Sequence, residues 1–240
     1  MKVAALFAAI LTARILPEMG WKAADRGMAI YGYPRFGFYW DIVHHVVQML
    51  LAVIFMALPI WDKTFYDWGF NNENKELNKK IVFRFFFGFI VFFTIGKTIY
   101  LYLMGWPPAL DYNPETTSLW QLIVFRMTMP GLSEEILFRA LVMGILLKAW
   151  NGFFYIGKVR IHYAGILSAL IFVMAHVGFK IFPFEIMYYN IGQMASAFVF
   201  GLFYSIVYME TRSLIAPIAA HNIVDGIGTV VDWALTCIAG

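Results

Sequence analysis

The sequence predicts an all-α protein, a polytopic transmembrane bundle of about seven to eight helices, with one long helix broken near Pro130-Gly131. Three observations predict it. Hydrophobic residues make up 61% of the 240-residue chain and charged residues 14%, whereas soluble domains carry about 25% charged residues. Mean hydropathy is +0.70. Apolar stretches of roughly 20 residues, the length that crosses a bilayer core, recur along most of the chain. Aromatics reach 19%, with 24 Phe and 8 Trp, as suits lipid-facing surfaces and interfacial belts. The chain therefore reads as one integral, multi-pass membrane domain over 1–240 with no separate soluble domain. The formal charge of +3 is small and spread through loops, so membrane lipid is the expected surroundings and nucleic acid is not a partner. The lone cysteine, Cys237, excludes an intramolecular disulfide and a cysteine-based zinc cage.

Residues 1–39 read as an N-terminal helix and a connecting loop. Lys2 and the short apolar run 3–16 imitate a signal peptide, but no small-x-small cleavage site follows. A retained or interfacial first helix is expected, with a loop over 18–39. Spans follow at 40–60, 81–104, 190–209 and 214–239, and a shorter one at 164–179. The run 71–80, NNENKELNKK, reads as a solvated connection. The stretch 118–150 would measure about 50 Å as one helix. Pro130 removes a backbone donor and is expected to interrupt it. Ser133 would then cap a restarted helix. Such a break is tolerated at membrane depth only where it is buried in protein or lines a cavity.

Basic residues cluster in 62–80 and 151–163, whereas 105–117 has none, so positive-inside reasoning places the first two in the cytoplasm. The connection 18–39, with Lys22, Arg26 and Arg35, falls on the outer side against that scheme. No internal repeat is visible.

The chemistry concentrates in three places. Glu134-Glu135-Ile136-Leu137-Phe138-Arg139 sits in one of the most apolar regions. Ionisable groups there are costly, so they are paired, turned inward and functional by default. Glu135 and Arg139 share a helix face at i, i+4 and can pair. Glu134 is rotated by about 100° and remains available. A carboxylate kept from water holds a proton more tightly than one in water, which suits a general base. The plainer alternative is a structural ion pair with a spare acid. His176 ends a short span, four residues after Phe172. His221 and Asp225 share a face of the last span. His176, His221 and Asp225 could hold a divalent metal such as zinc. They could equally orient water or stabilise an oxyanion without metal. His44-His45 point to different sides of a helix and are not expected to form one site. Asn190 and Gln193 read as interhelical hydrogen bonders.

These three blocks, in this order and spacing, resemble the CPBP family of CAAX-protease and bacteriocin-processing intramembrane endopeptidases, also called the Abi family. The family pattern is EExxxR, FxxxH and a final histidine followed four positions later by Asn or Asp. The resemblance covers about 67–232, including Asp67-Trp68-Gly69-Phe70 and the run from Ala216 to His221. It implies that Glu134 is the general base, Glu135 and Arg139 its supporting pair, and His176 and His221 catalytic or metal-coordinating. Asp225 stands where the CAAX-processing branch has an asparagine that helps to hold the oxyanion. An amide donates to an oxyanion and an ionised carboxylate does not.

The resulting expectation is an intramembrane endopeptidase, metallo- or glutamate-dependent, acting on a membrane-associated protein or peptide. The alternatives are a non-catalytic scaffold or immunity-type subunit of a larger membrane complex, and a proton-relaying transporter, which the lack of a repeat disfavours. HExxH and Gly-x-Ser-Gly motifs are absent.

Overall fold

Seven helices, two short hairpins and their connections build the bundle in a computed structural model that describes residues 1–105, 117–180, 182–183 and 185–239. The all-α, multi-pass reading holds. Four helices are long and apolar enough to cross a membrane: α1 (Lys2–Tyr31), α2 (Phe38–Met56), α3 (Lys75–Met104) and α6 (Ile191–Thr211). Helix α4 combines an α-helical stretch Leu119–Glu135, a π-helical turn Ile136–Val142 and a last turn Met143–Leu147. Helix α5 is Tyr163–Ala175 and α7 is Ile215–Ala239.

Helix α1 is the first departure from the sequence reading, because it runs through most of the expected loop 18–39 and ends at Gly32 in the left-handed region. Two i, i+4 ion pairs, Arg14–Glu18 at 3.4 Å and Lys22–Glu18 at 3.0 Å, carry the helix through its polar part. Its buried face is a stripe of small residues, Ala9, Ala13, Gly20 and Ala24. This stripe lets α2 approach so closely that a Cβ on Gly20 would meet the His44 carbonyl. The charge conflict on this side also eases. Lys22 and Arg26 are helical, and Arg35 is neutralised by Asp25 at 2.7 Å.

The predicted break at Pro130-Gly131 is the second departure. The helix stays continuous through both residues and becomes irregular only from Ile136. The reason is supplied by α7. Asn222 Oδ1 accepts the Gly131 N–H at 2.8 Å, and its amide donates to the Thr128 carbonyl at 3.2 Å. A side chain from the neighbouring helix thus satisfies the backbone around the proline. Ser133 consequently caps nothing. It is buried inside the helix and hydrogen-bonded to His45. Gly131 permits the contact, since a Cβ there would lie 2.5 Å from Asn222 Oδ1 and 2.6 Å from the Ile218 carbonyl.

Every residue from Ile136 to Leu146 is buried, which makes this part of α4 the axis of the bundle. A helix apolar on all sides belongs in such a position. Trp68 packs under it, against Gly144, where any side chain would collide with the indole. The connection 71–80, read as solvated, is in fact tied down. Asn71 and Asn74 donate to the carbonyls of Arg212 and Thr211 at 2.8 and 2.9 Å, and α3 already begins at Lys75. The basic segment 151–163 folds as a hairpin, β1 (Phe153–Ile156) and β2 (Val159–His162), turned through Gly157 at positive φ. A second hairpin, β3 (Gly178–Lys180) and β4 (Glu185–Tyr188), replaces the end of the expected span 164–179. Lys2 beside Trp150, Lys148 over Trp61 and Arg160 beside Glu210 gather the basic connections at one end of the bundle. Of the uncharged connection 105–117, residues 106–116 lie outside the described residues. Thr117 accepts the Phe38 N–H at 3.0 Å, at the start of α2.

Candidate active site

The three sequence blocks converge on one chamber between α2, α4, α5, α6 and α7. Glu134, His176, His221 and Asp225 line it together with His45, Gln193 and Tyr204. Glu135 and Arg139 lie directly behind its wall.

The two adjacent glutamates have separate surroundings. Glu135 is fully buried, with Oε1 accepting the His221 Nδ1–H at 2.7 Å and Oε2 paired with Arg139 Nε at 2.9 Å. Arg139 is also fully buried. It donates to the Gly201 carbonyl at 3.2 Å, and its guanidinium lies 4.9 Å from the Phe172 ring and 5.3 Å from the Tyr204 ring. Apolar rings on both sides leave the arginine a fixed orientation. Glu134, one residue earlier, is turned into the chamber.

His221 is the hinge between the wall and the chamber. Its Nδ1 is committed to Glu135, so Nε2 faces inward, 3.9 Å from Glu134 Oε2 and 3.7 Å from Asp225 Oδ2. Tyr204 stacks on its ring at 5.0 Å and 15°. His176 gives its Nδ1–H to the Phe172 carbonyl at 2.8 Å, the residue one turn earlier, which leaves Nε2 as an acceptor. Phe172 packs edge-on against both histidines, at 4.7 and 6.0 Å.

The separations around His221 Nε2 decide what the set can hold. Bonds of about 2.0–2.2 Å to zinc place tetrahedral ligand atoms roughly 3.3–3.5 Å apart. Both carboxylates stand beyond that, and among the described residues no three His, Cys, Asp or Glu side chains converge on a metal position. The residues as placed do not fit zinc. Gaps of 3.7–3.9 Å between polar atoms are instead those that a bridging water fills.

Three lining residues were not singled out for this site from sequence. His45 shares a hydrogen bond with Ser133 Oγ and packs edge-on to Phe125. A signal existed: Asp41, His45 and Gln48 form an i, i+4, i+7 polar stripe in an otherwise apolar helix. Tyr204 is 1% exposed, and its hydroxyl has no protein partner. Gln193 lines the chamber from the first turn of α6, whereas Asn190 caps that helix by accepting the Gln193 N–H at 3.0 Å. Neither acts as the interhelical bridge expected of them.

Residues 114–227 match the family described as Rce1-like, type II CAAX prenyl endopeptidase. No curated protein and no solved structure matches the chain.

Proposed function

Over residues 114–227 the chain belongs to the Rce1-like family of type II CAAX prenyl endopeptidases, and on that premise we propose that it hydrolyses a peptide bond of a membrane-associated protein or peptide, with Glu134 activating the water. The family supports an intramembrane endopeptidase in general terms. The assignment of roles rests on one observation: of two adjacent carboxylates, one has both oxygens committed behind the wall and the other faces the chamber.

In this reading a water sits among Glu134, His221 Nε2 and Asp225. Glu134 takes its proton as the oxygen attacks the scissile carbonyl, and returns that proton to the departing amine. General-base assistance of this kind contributes about 10²–10⁴-fold. Glu135 fixes the ring of His221 through Nδ1, and Arg139 fixes Glu135. His176 Nε2 accepts a hydrogen bond from water or substrate. Tyr204 carries a donor with no other partner and serves the developing oxyanion, a role that Asp225 in its ionised form cannot fill. No step requires a metal.

The test compares new peptide termini in native cells between the wild type and Glu134→Gln at matched expression, with thermal unfolding of both purified proteins. Termini lost in a variant of unchanged stability support the reading. An unchanged profile overturns it in favour of a scaffold role.

A further inference from the structure

A second feature lies far from the chamber and is independent of any peptidase activity. Helix α3 has 30 residues and only 6% of its apolar window is buried. At 1.5 Å per residue it measures about 45 Å, against a hydrocarbon core of roughly 30 Å. Its first ten residues therefore stand at the level of the headgroups. Those ten carry Lys75, Lys79, Lys80 and Arg84 against a single acid, Glu76, which pairs with Lys79 at 3.2 Å. Together with Phe83 and the start of α7 they line an open groove whose lower wall is apolar.

The floor of this groove holds the decisive group. Asn78 lines it, is 2% exposed, and neither its amide nitrogen nor its carbonyl oxygen has a hydrogen-bond partner in the protein. Leaving such an amide unpaired costs on the order of kcal/mol. Its neighbours cannot satisfy it, because Asn74 gives its amide to Thr211 and no side chain caps the first turn of α3. Two helix N-termini, at Lys75 and Ile215, border the groove and add partial positive charge.

We propose that this groove binds the headgroup of an anionic phospholipid from the leaflet beside the basic loops. The phosphodiester would lie among Lys79, Lys80 and Arg84 and accept from the Asn78 amide. A glycerol hydroxyl or bridging water would donate to the Asn78 carbonyl. The acyl chains would continue along Phe83 and the exposed apolar face of α3. The lysine and arginine stems can follow those chains while their charges stay at the headgroup. Basic side chains next to an anionic leaflet each strengthen binding several-fold. The buried amide is what separates a defined site from a diffuse basic surface.

The full-length protein, reconstituted in phosphatidylcholine nanodiscs with and without 20% phosphatidylglycerol, tests the proposal by native mass spectrometry of retained lipid. Three proteins are compared: wild type, the Lys79→Ala/Lys80→Ala/Arg84→Ala triple variant, and Asn78→Leu, which fills the same space without polar atoms. The wild type is expected to retain phosphatidylglycerol selectively. The triple variant should bind it on the order of 100-fold more weakly. Asn78→Leu should lose about tenfold while folding normally by thermal melt. Equal retention of both lipids by the wild type overturns the proposal. So does a triple variant that loses selectivity while Asn78→Leu keeps it, since the attraction is then diffuse. Displacement of the lipid by millimolar inorganic phosphate also overturns it, because the site is then one for free anions.

Discussion

The buried Glu135–Arg139 pair allows a quantitative prediction. At 2.9 Å the two charges attract with about 6 kcal/mol at an effective dielectric of about 20. Desolvation of two fully buried ions offsets much of this, so the pair as a unit adds little stability. Removing one partner is different, because the other is left charged and buried, at a cost of about 3–5 kcal/mol. Arg139→Met keeps most of the volume between Phe172 and Tyr204 but strands Glu135, and should destabilise by that amount. In Glu135→Gln/Arg139→Met no charge remains, and the glutamine carbonyl can still accept the His221 Nδ1–H. The double variant should recover to within about 2 kcal/mol of wild type. Reversible unfolding in mild micelles, applied to wild type, both single variants and the double, gives the coupling energy directly. Strictly additive costs, within about 0.5 kcal/mol, would refute the stranded-charge reasoning, as would an Arg139→Met protein as stable as wild type.

Other outcomes follow from the same geometry. Gly131→Ala should lower stability by about 1–3 kcal/mol and reduce proteolysis, because the new methyl displaces Asn222 and Ile218 where α4 meets α7; equal melting temperatures would contradict this. Treatment with EDTA or phenanthroline should leave the rate of peptide hydrolysis unchanged, and loss of activity restored by zinc would reject the water-bridged chamber. His162 in β2 is held below the ordinary histidine pKa by burial, then by Arg160 and Arg212. Its folded value lies under the unfolded value of about 6.5, so hairpin stability is intact above that pH and falls as pH drops below it. Hydrogen exchange in the β1–β2 hairpin should therefore quicken between pH 7.5 and 5 in wild type but not in His162→Phe.

Much of the site was legible because its logic is local. The i, i+4 spacing of Glu135 and Arg139 put both on one face, and the 100° offset of Glu134 put it on another, as observed. The spans were legible from length and hydropathy. What escaped depended on partners far along the chain. Pro130 reads as a breaker until Asn222, 92 positions later, supplies the missing bonds. His45 gains meaning from Ser133, 88 positions away. The buried role of Asn71 and Asn74 depends on Thr211 and Arg212. The β1–β2 hairpin is a different case. Two short runs separated by Gly157-Lys158 carry a local hairpin signal, but it was outweighed by treating the basic segment as a loop.

The π-helical turn at Ile136–Val142 gives the protein a counting constraint. Such a turn holds a residue more than a regular helix would over the same rise, and it survives mainly where function maintains it. Arg139 lies inside it, and the packed Trp68–Gly144 contact lies just beyond it. Deleting one residue between Ile136 and Val142 would relax the turn into ordinary helix. Everything on one side would then rotate by about 100° relative to the other. Either the arginine would leave Glu135 or Gly144 would turn away from the indole. Substitutions in this stretch can be absorbed by repacking. A change in its length cannot, so chain length here is held fixed by the join between chemistry and scaffold.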